Sequence, residues 1–434
     1  MRLLLIRKWV GGVQNQRKFG NWYCVPELTK MVRPMKLRAP PIVLAGALVL
    51  FLVLLSPLPS SAQSPAPGFH LSGLLSLLST ARLDARFEPF FSLRFIPEVK
   101  FSLSAGRGVT VDAEVSANAY GSVAFLSDGP ATTSGDLKPY RAWLRLSTSR
   151  FEARVGLQKL SFGSATLFRP LMWFDSLDPR DPLQITDGVY ALLLRYYAKG
   201  NANFWAWGLY ANDERRGWDL APPDEKTPEF GGRVQIPLFK GEIAATYHRR
   251  KAAIDGLTPI MAPVMAPPPE SPLPVPPVPE DRVAIDGKWD VGVGVWFEGA
   301  LIHQKTTLLP LPYQRALTLG LDYTFGLGNG LNALAEHFWL ELSSRAFGPG
   351  DGLSFSGLLL RYPLGLLDEI SGIFYYDWKN RNLYRFVGWK RTYDSLSLNL
   401  MFFWNPQEFL VFQGQPGSSS FAGTGFQLLL AFHF

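Results

Sequence analysis

One cysteine, Cys24, stands in 434 residues. That excludes a disulfide framework and a multi-cysteine metal site. Charged residues make up 18%, below the usual quarter. Histidine occurs five times, at His70, His248, His303, His337 and His433, and none sits in a His-Glu-x-x-His zinc pattern. No Gly-x-Ser-x-Gly elbow follows residue 62. Ala/Glu/Lys/Leu-rich runs are missing too, which argues against a helical bundle or coiled coil. Mean hydropathy of +0.05 is too low for a protein of many membrane helices. Aromatics, by contrast, reach 14%, and a disordered chain is poor in them.

The net charge of +7 belongs to one end. Residues 1–62 carry nine of the 43 Lys/Arg and one of the 36 acids, leaving 34 basic and 35 acidic residues, a net of −1. No nucleic-acid partner is implied. Met35-Lys36-Leu37-Arg38 makes a basic n-region, Ile42 to Leu55 an apolar stretch, and Ser60-Ser61-Ala62 a small-residue cleavage site. Residues 35–62 therefore read as a signal peptide cut before Gln63. Residues 1–34 read as a leader extension, a candidate over-extended start.

Beyond residue 62 the pattern has period two. Arg282 to Val291, Leu317 to Phe325 and Leu396 to Phe402 alternate polar with apolar residues, which predicts strands with one greasy face. Eighteen strands are expected between 69 and 434, with sixteen as the alternative because the first is weakly patterned. Turn sequences such as Lys199-Gly200-Asn201 and Phe239-Lys240-Gly241 alternate with long connections near 127–138, 163–185, 212–227, 251–280, 343–352 and 405–420. Short turns on one end and long loops on the other are the habit of membrane barrels. The reading is all-β: a single transmembrane antiparallel up-and-down barrel over 63–434, in the cell outer membrane. Lipid takes the apolar faces, and closure satisfies the backbone where water is absent. Trp289, Tyr323, Tyr362, Trp378 and Trp404 are expected in interfacial girdles.

The polar faces then line a lumen. Arg141, Arg145, Arg154, Arg195 and Arg233 are expected on one wall, with Gln158 and Gln235. Asp286, Asp290, Glu298, Asp322 and Asp377, with Lys288, are expected on the other. Two readings stay open: a transverse field that orients polar solutes, or locally paired charges without selectivity. A shift near Lys159-Leu160 suggests a bulge. Strand 202–211 is apolar on both faces, so one face needs an inserted partner. Residues 164–186 are the candidate inward constriction loop, bringing Arg169, Asp175, Asp178, Arg180 and Asp181 near the narrow point. Residues 255–280, with ten prolines between Pro259 and Pro279, read as a surface loop outside the sheet.

The chain ends with Phe426, Leu428, Leu430, Phe432 and Phe434 on one face. This resembles the C-terminal strand of Gram-negative outer-membrane proteins and implies the barrel-assembly machinery as a partner. Gly156-Leu157-Gln158, Phe162-Gly163, the Arg169 to Pro182 stretch and Asp187-Gly188-Val189 together resemble the porin-like, phosphate-selective and alginate-export families. The resemblance implies passive passage of small, often anionic, solutes, and an oligomer as one option; the chain as a whole reads as a channel for small hydrophilic solutes that needs no cofactor. A carrier of hydrophobic solutes is the alternative. A barrel-embedded hydrolase comes third: Glu336-His337 near Ser343-Ser344 is its one foothold.

Overall fold

The computed structural model describes residues 68–83, 87–106, 108–125, 129–254, 275–407 and 421–434. The expected signal peptide, the leader and most of the proline-rich loop lie outside them. The strands, in chain order, are β1 (Gly68–Arg82), β2 (Phe90–Ser104), β3 (Thr110–Ala124), β4 (Thr132–Ser147), β5 (Phe151–Gln158), β6 (Val189–Tyr197), β7 (Asn203–Leu209), β8 (Glu229–Leu238) and β9 (Gly241–Ala252). They continue as β10 (Val278–Asp290), β11 (Gly294–Gln304), β12 (Tyr313–Phe325), β13 (Leu331–Ser343), β14 (Gly350–Pro363), β15 (Asp368–Asp377), β16 (Asn382–Thr392), β17 (Leu396–Trp404) and β18 (Thr424–His433). Each strand pairs antiparallel with the next, and β18 pairs with β1. This is a closed up-and-down barrel of eighteen strands, with no edge left to template another chain.

The faces follow from exposure. Leu317, Leu319 and Leu321 are 39%, 47% and 50% exposed, while Ala316 and Thr318 between and beside them are buried. The apolar alternate therefore points away from the lumen. The same phase puts Leu144 and Leu146 outside on β4, Leu192 and Tyr196 on β6, and Val283 and Ile285 on β10. Aromatics crowd both ends of this band. Trp289, Tyr323 and Tyr362 lie at the short-turn end, and Trp378, in the four-residue link between β15 and β16, and Trp404 lie at the other end.

Three expected boundaries move. β5 ends at Gln158, so Lys159-Leu160 marks the chain leaving the sheet and not a bulge. The bulge is on β4: Ser116 faces Arg141 and Ala117 faces Pro139, leaving Tyr140 as the extra residue. β4 also starts at Thr132, inside the stretch expected as a loop. Its Thr132 to Leu137 segment is exposed on both faces. A hairpin that projects beyond lipid needs no apolar side, so alternation gives no sign of it. β10 likewise begins at Val278, four residues before its alternating run.

The barrel seam is built on small residues. Gly73 on β1 lies directly under the Phe434 ring, where any Cβ would collide with it. Phe434 stacks on Phe95 of β2 at 5.9 Å and on Phe432 at 6.2 Å. The backbone closes the same point, with Gly73 N donating to Phe434 O at 2.9 Å.

Candidate functional site

The long connection between β5 and β6, residues 159–188, turns inward. β6 and β7 explain why. The inner faces of these strands are Val189, Ala191, Leu193, Trp207 and Leu209, all buried, with Trp205 beside them. Water in a lumen would leave that apolar surface unsatisfied. Leu160, Phe162, Leu171, Trp173 and Phe174 cover it. Phe162 stacks on Trp207 at 5.6 Å, and Phe174 meets the same ring edge-on at 5.6 Å.

The segment then spans to the opposite wall. Phe168 is fully buried between Phe338 of β13 (5.5 Å), Phe355 of β14 (5.9 Å) and Tyr375 of β15 (5.3 Å). Two wall carboxylates take its backbone donors. Glu336 Oε1 accepts Thr166 N at 2.6 Å, and Oε2 accepts Leu167 N and Phe168 N, each at 2.8 Å. Trp296 Nε1 donates to Glu336 Oε1 at 3.0 Å. Glu298 accepts Ala165 N at 2.6 Å and Leu171 N at 3.4 Å. Thr318 Oγ1 donates to Phe168 O at 2.7 Å. A segment with no sheet partner thus has its amides paired by side chains, as buried amides require. Gly163 is needed here: its φ is +100° and its Cβ position is occupied by the Glu298 carboxylate.

A second insertion, residues 210–228 between β7 and β8, packs beside the first. Trp218 lies 4.5 Å from Phe338, and its carbonyl accepts Gln314 Nε2 at 2.9 Å. Arg216 donates to Phe174 O, Asp187 O and Gly188 O, tying the two segments together. Asp219 reaches the wall, where Arg250 and Arg282 pair with it at 3.0 and 2.8 Å. Both arginines also hold Glu280. The sequence reading treats this stretch as an external loop. Arg216 and Trp218-Asp219 beside a strand apolar on both faces were the available signal.

The residues expected in the lumen all face inward, but in two environments. On the filled side, Arg233 and Asp286 form a buried two-armed ion pair at 2.6 and 2.7 Å. Glu298 is fully buried under the inserted segment instead of meeting water. Asp377 is buried and accepts Lys379 N and Asn380 N in its own turn. Lys288 lies over the Trp296 ring at 5.4 Å, with Asp290 and Asp322 near the short-turn mouth. On the open side, Arg145 pairs with Asp112 at 2.8 Å and Arg154 with Glu152 at 2.8 Å. Arg195 stacks on Trp205 at 3.8 Å. Arg141 is buried against Thr186 O. Opposite charges therefore meet directly at several points, Arg233 and Asp286 among them, where separate walls would have held them apart.

The five polar residues expected near the constriction are internal to the inserted segment. Arg169 pairs with Asp175 at 2.9 Å and also donates to Ser161 Oγ and Phe162 O. Arg180 pairs with Asp178 at 2.6 Å and lies over the Phe421 ring at 4.7 Å. Asp181 closes a turn by accepting Leu183 N and Ile185 N at 2.9 and 3.0 Å. Burial pushes its carboxyl above the usual aspartate range, against the opposing pull of those two amides. Glu336 and His337 point to opposite faces. His337 lies outside with Ser354 and Ser356. The described residues hold no cluster of three metal-ligating side chains.

No family model and no curated relative matches the chain. Among solved structures, OccK9 (OpdG) of Pseudomonas aeruginosa aligns at 12% identity with a TM-score of 0.54, over 84% of this chain and 98% of its own. OccK7 (OpdD) of the same organism aligns at 8% identity and 0.50, again over 84% and 98%. The outer membrane channel DcaP of Acinetobacter baumannii overlaps more loosely, at 9% identity and 0.47, over 87% and 100%. At such identities the first two likenesses are likenesses of fold.

Proposed function

The chain is an outer-membrane β-barrel of the porin fold, and from that premise we propose that it is a passive channel for small hydrophilic solutes. One observation carries the reading. The two inserted segments bury most of the mid-barrel inner face of β6–β16, whereas on β2–β5, apart from a few side chains such as Arg141 and Gln158, the inner charges keep contact with solvent. There Arg94, Glu98, Asp112, Glu114, Lys138, Arg145 and Arg154 point inward and keep contact with solvent, and Lys159 at the start of the inserted segment is exposed. A polar, water-accessible strip beside a closely packed plug is what a narrowed aqueous path requires. Residues 164–186 act as the constriction, with the Arg169–Asp175 and Arg180–Asp178 pairs keeping their own shape and not contacting solute.

The alternatives lose their supports. The apolar inner face of β7, which would have suited a hydrophobic solute, is consumed by Phe162 and Phe174. The opposed directions of Glu336 and His337 remove the hydrolase's one foothold. Planar-bilayer conductance with reversal potentials tests the channel and its ion preference together. Liposome swelling with sugars of graded size is expected to show a size cutoff. A protein that inserts but passes neither ions nor sugars would refute it.

A further inference from the structure

Arg249 and Lys251 on β9 point outward at the long-connection end, next to Asp281 on β10 and Lys305 just after β11. Below them the same three strands carry apolar outward residues, with Val283 and Ile285 exposed. The change from apolar to charged is therefore abrupt and marks the edge of the lipid band. Asp281 gathers the cations. Arg249 Nε lies 3.8 Å from its Oδ1, Lys305 pairs with its Oδ2, and Tyr247 OH donates to it at 2.9 Å. Lys251 is exposed, and Asp224 stands opposite it, its N donating to Lys251 O at 2.9 Å while its carboxylate accepts Thr227 Oγ1. Three cations against the two acids, Asp281 and Asp224, leave one net positive charge on the outside of the wall. At the opposite end the same strands present Trp289 and Phe297, stacked at 6.0 Å.

We propose that this patch is a docking site for the phosphate group of an anionic lipid in the outer leaflet, with an acyl chain lying along Val283 and Ile285. It rests on the reading of the chain as an outer-membrane barrel with its long connections outward. The charge fits: a phosphate monoester carries about −1.5 to −2 at neutral pH, and cations at a membrane surface attract anionic headgroups. The geometry fits as well, because headgroup and chain would each meet matching wall at the boundary where a lipid changes from polar to apolar.

The test uses the full barrel in detergent micelles, titrated with a bisphosphorylated, acylated disaccharide lipid, its dephosphorylated form, and inorganic phosphate. The phosphorylated lipid is expected to bind at least tenfold more tightly than the other two, and at least tenfold less tightly to the triple variant Arg249→Gln, Lys251→Gln, Lys305→Gln. Unchanged binding by that variant, equal binding of the dephosphorylated lipid, or equal binding of inorganic phosphate would each overturn the site. So would a dimer lost in the variant with lipid binding intact, since the occupant would then be a second copy. Lys199→Gln and Lys240→Gln, in the short turns, serve as controls and are expected to bind normally. Conductance of the triple variant is expected to match the parent. A parent barrel that binds the lipid but never conducts would refute the channel and leave the lipid site standing.

Discussion

Glu336 is the side chain on which the inserted segment depends most. It accepts three consecutive backbone amides and one indole N–H. A glutamine has one acceptor oxygen and turns its NH₂ toward donors. Glu336→Gln is expected to lose about 1–3 kcal/mol, read as a lower unfolding midpoint, and to show noisier single-channel current because the segment is held less firmly. An unchanged midpoint with quiet current would contradict this. Arg233→Ala is a sharper case, since it strands a buried Asp286. Losing one partner of a buried pair costs about 3–5 kcal/mol, and the double variant Arg233→Met, Asp286→Leu is expected to recover most of it. Asp181 makes a pH prediction. Its folded carboxyl titrates above the ordinary aspartate value. The fold therefore gains from its protonation below the unfolded pKa and loses that gain as pH rises through the folded one. Asp181→Asn keeps an acceptor for Leu183 N and is expected to flatten that part of the stability–pH curve. None of these roles was legible in the sequence, because a glutamate facing a lumen and one facing a plug have the same neighbours along a strand.

β6, β7 and the segment 159–188 form one unit of packing. Deleting residues 164–186 is expected to raise single-channel conductance and also to expose Leu193, Trp207 and Leu209 to water. The deletion protein should bind a hydrophobic dye, and adding Leu193→Ser and Leu209→Ser should reduce that binding. Conductance equal to the parent would remove the segment from the permeation path. The β1–β18 seam is a second unit. Gly73→Val pushes against the Phe434 ring, and the expected result is a smaller heat-modifiable folded fraction on gels. This level is where the sequence was most readable. Period two places the strands, and the double apolar face of 202–211 signals an inserted partner. The starts of β4 and β10 were not visible, since strands that run past the lipid have no reason to alternate.

For the whole barrel, the charges matter as a set. Ion pairs such as Arg145–Asp112 and Arg154–Glu152 cancel much of the field along the open strip, so weak ion selectivity is expected. Replacing Arg145, Arg154 and Lys159 together by glutamine is expected to move the reversal potential toward cation preference, more at low salt than at high salt, because screening shortens with ionic strength. No shift at low salt would mean that the current passes elsewhere.

The chain's alternation determined the class of molecule without any coordinates. Each strand can be apolar on one side only, and so many such strands find satisfaction only around a closed ring in lipid. Tertiary structure alone decided which half of that ring is filled. The filling comes from contacts between residues far apart in sequence, such as Phe168 with Phe338 and Asp219 with Arg250. A local pattern reports which face a side chain takes, and only the folded chain reports what stands opposite it.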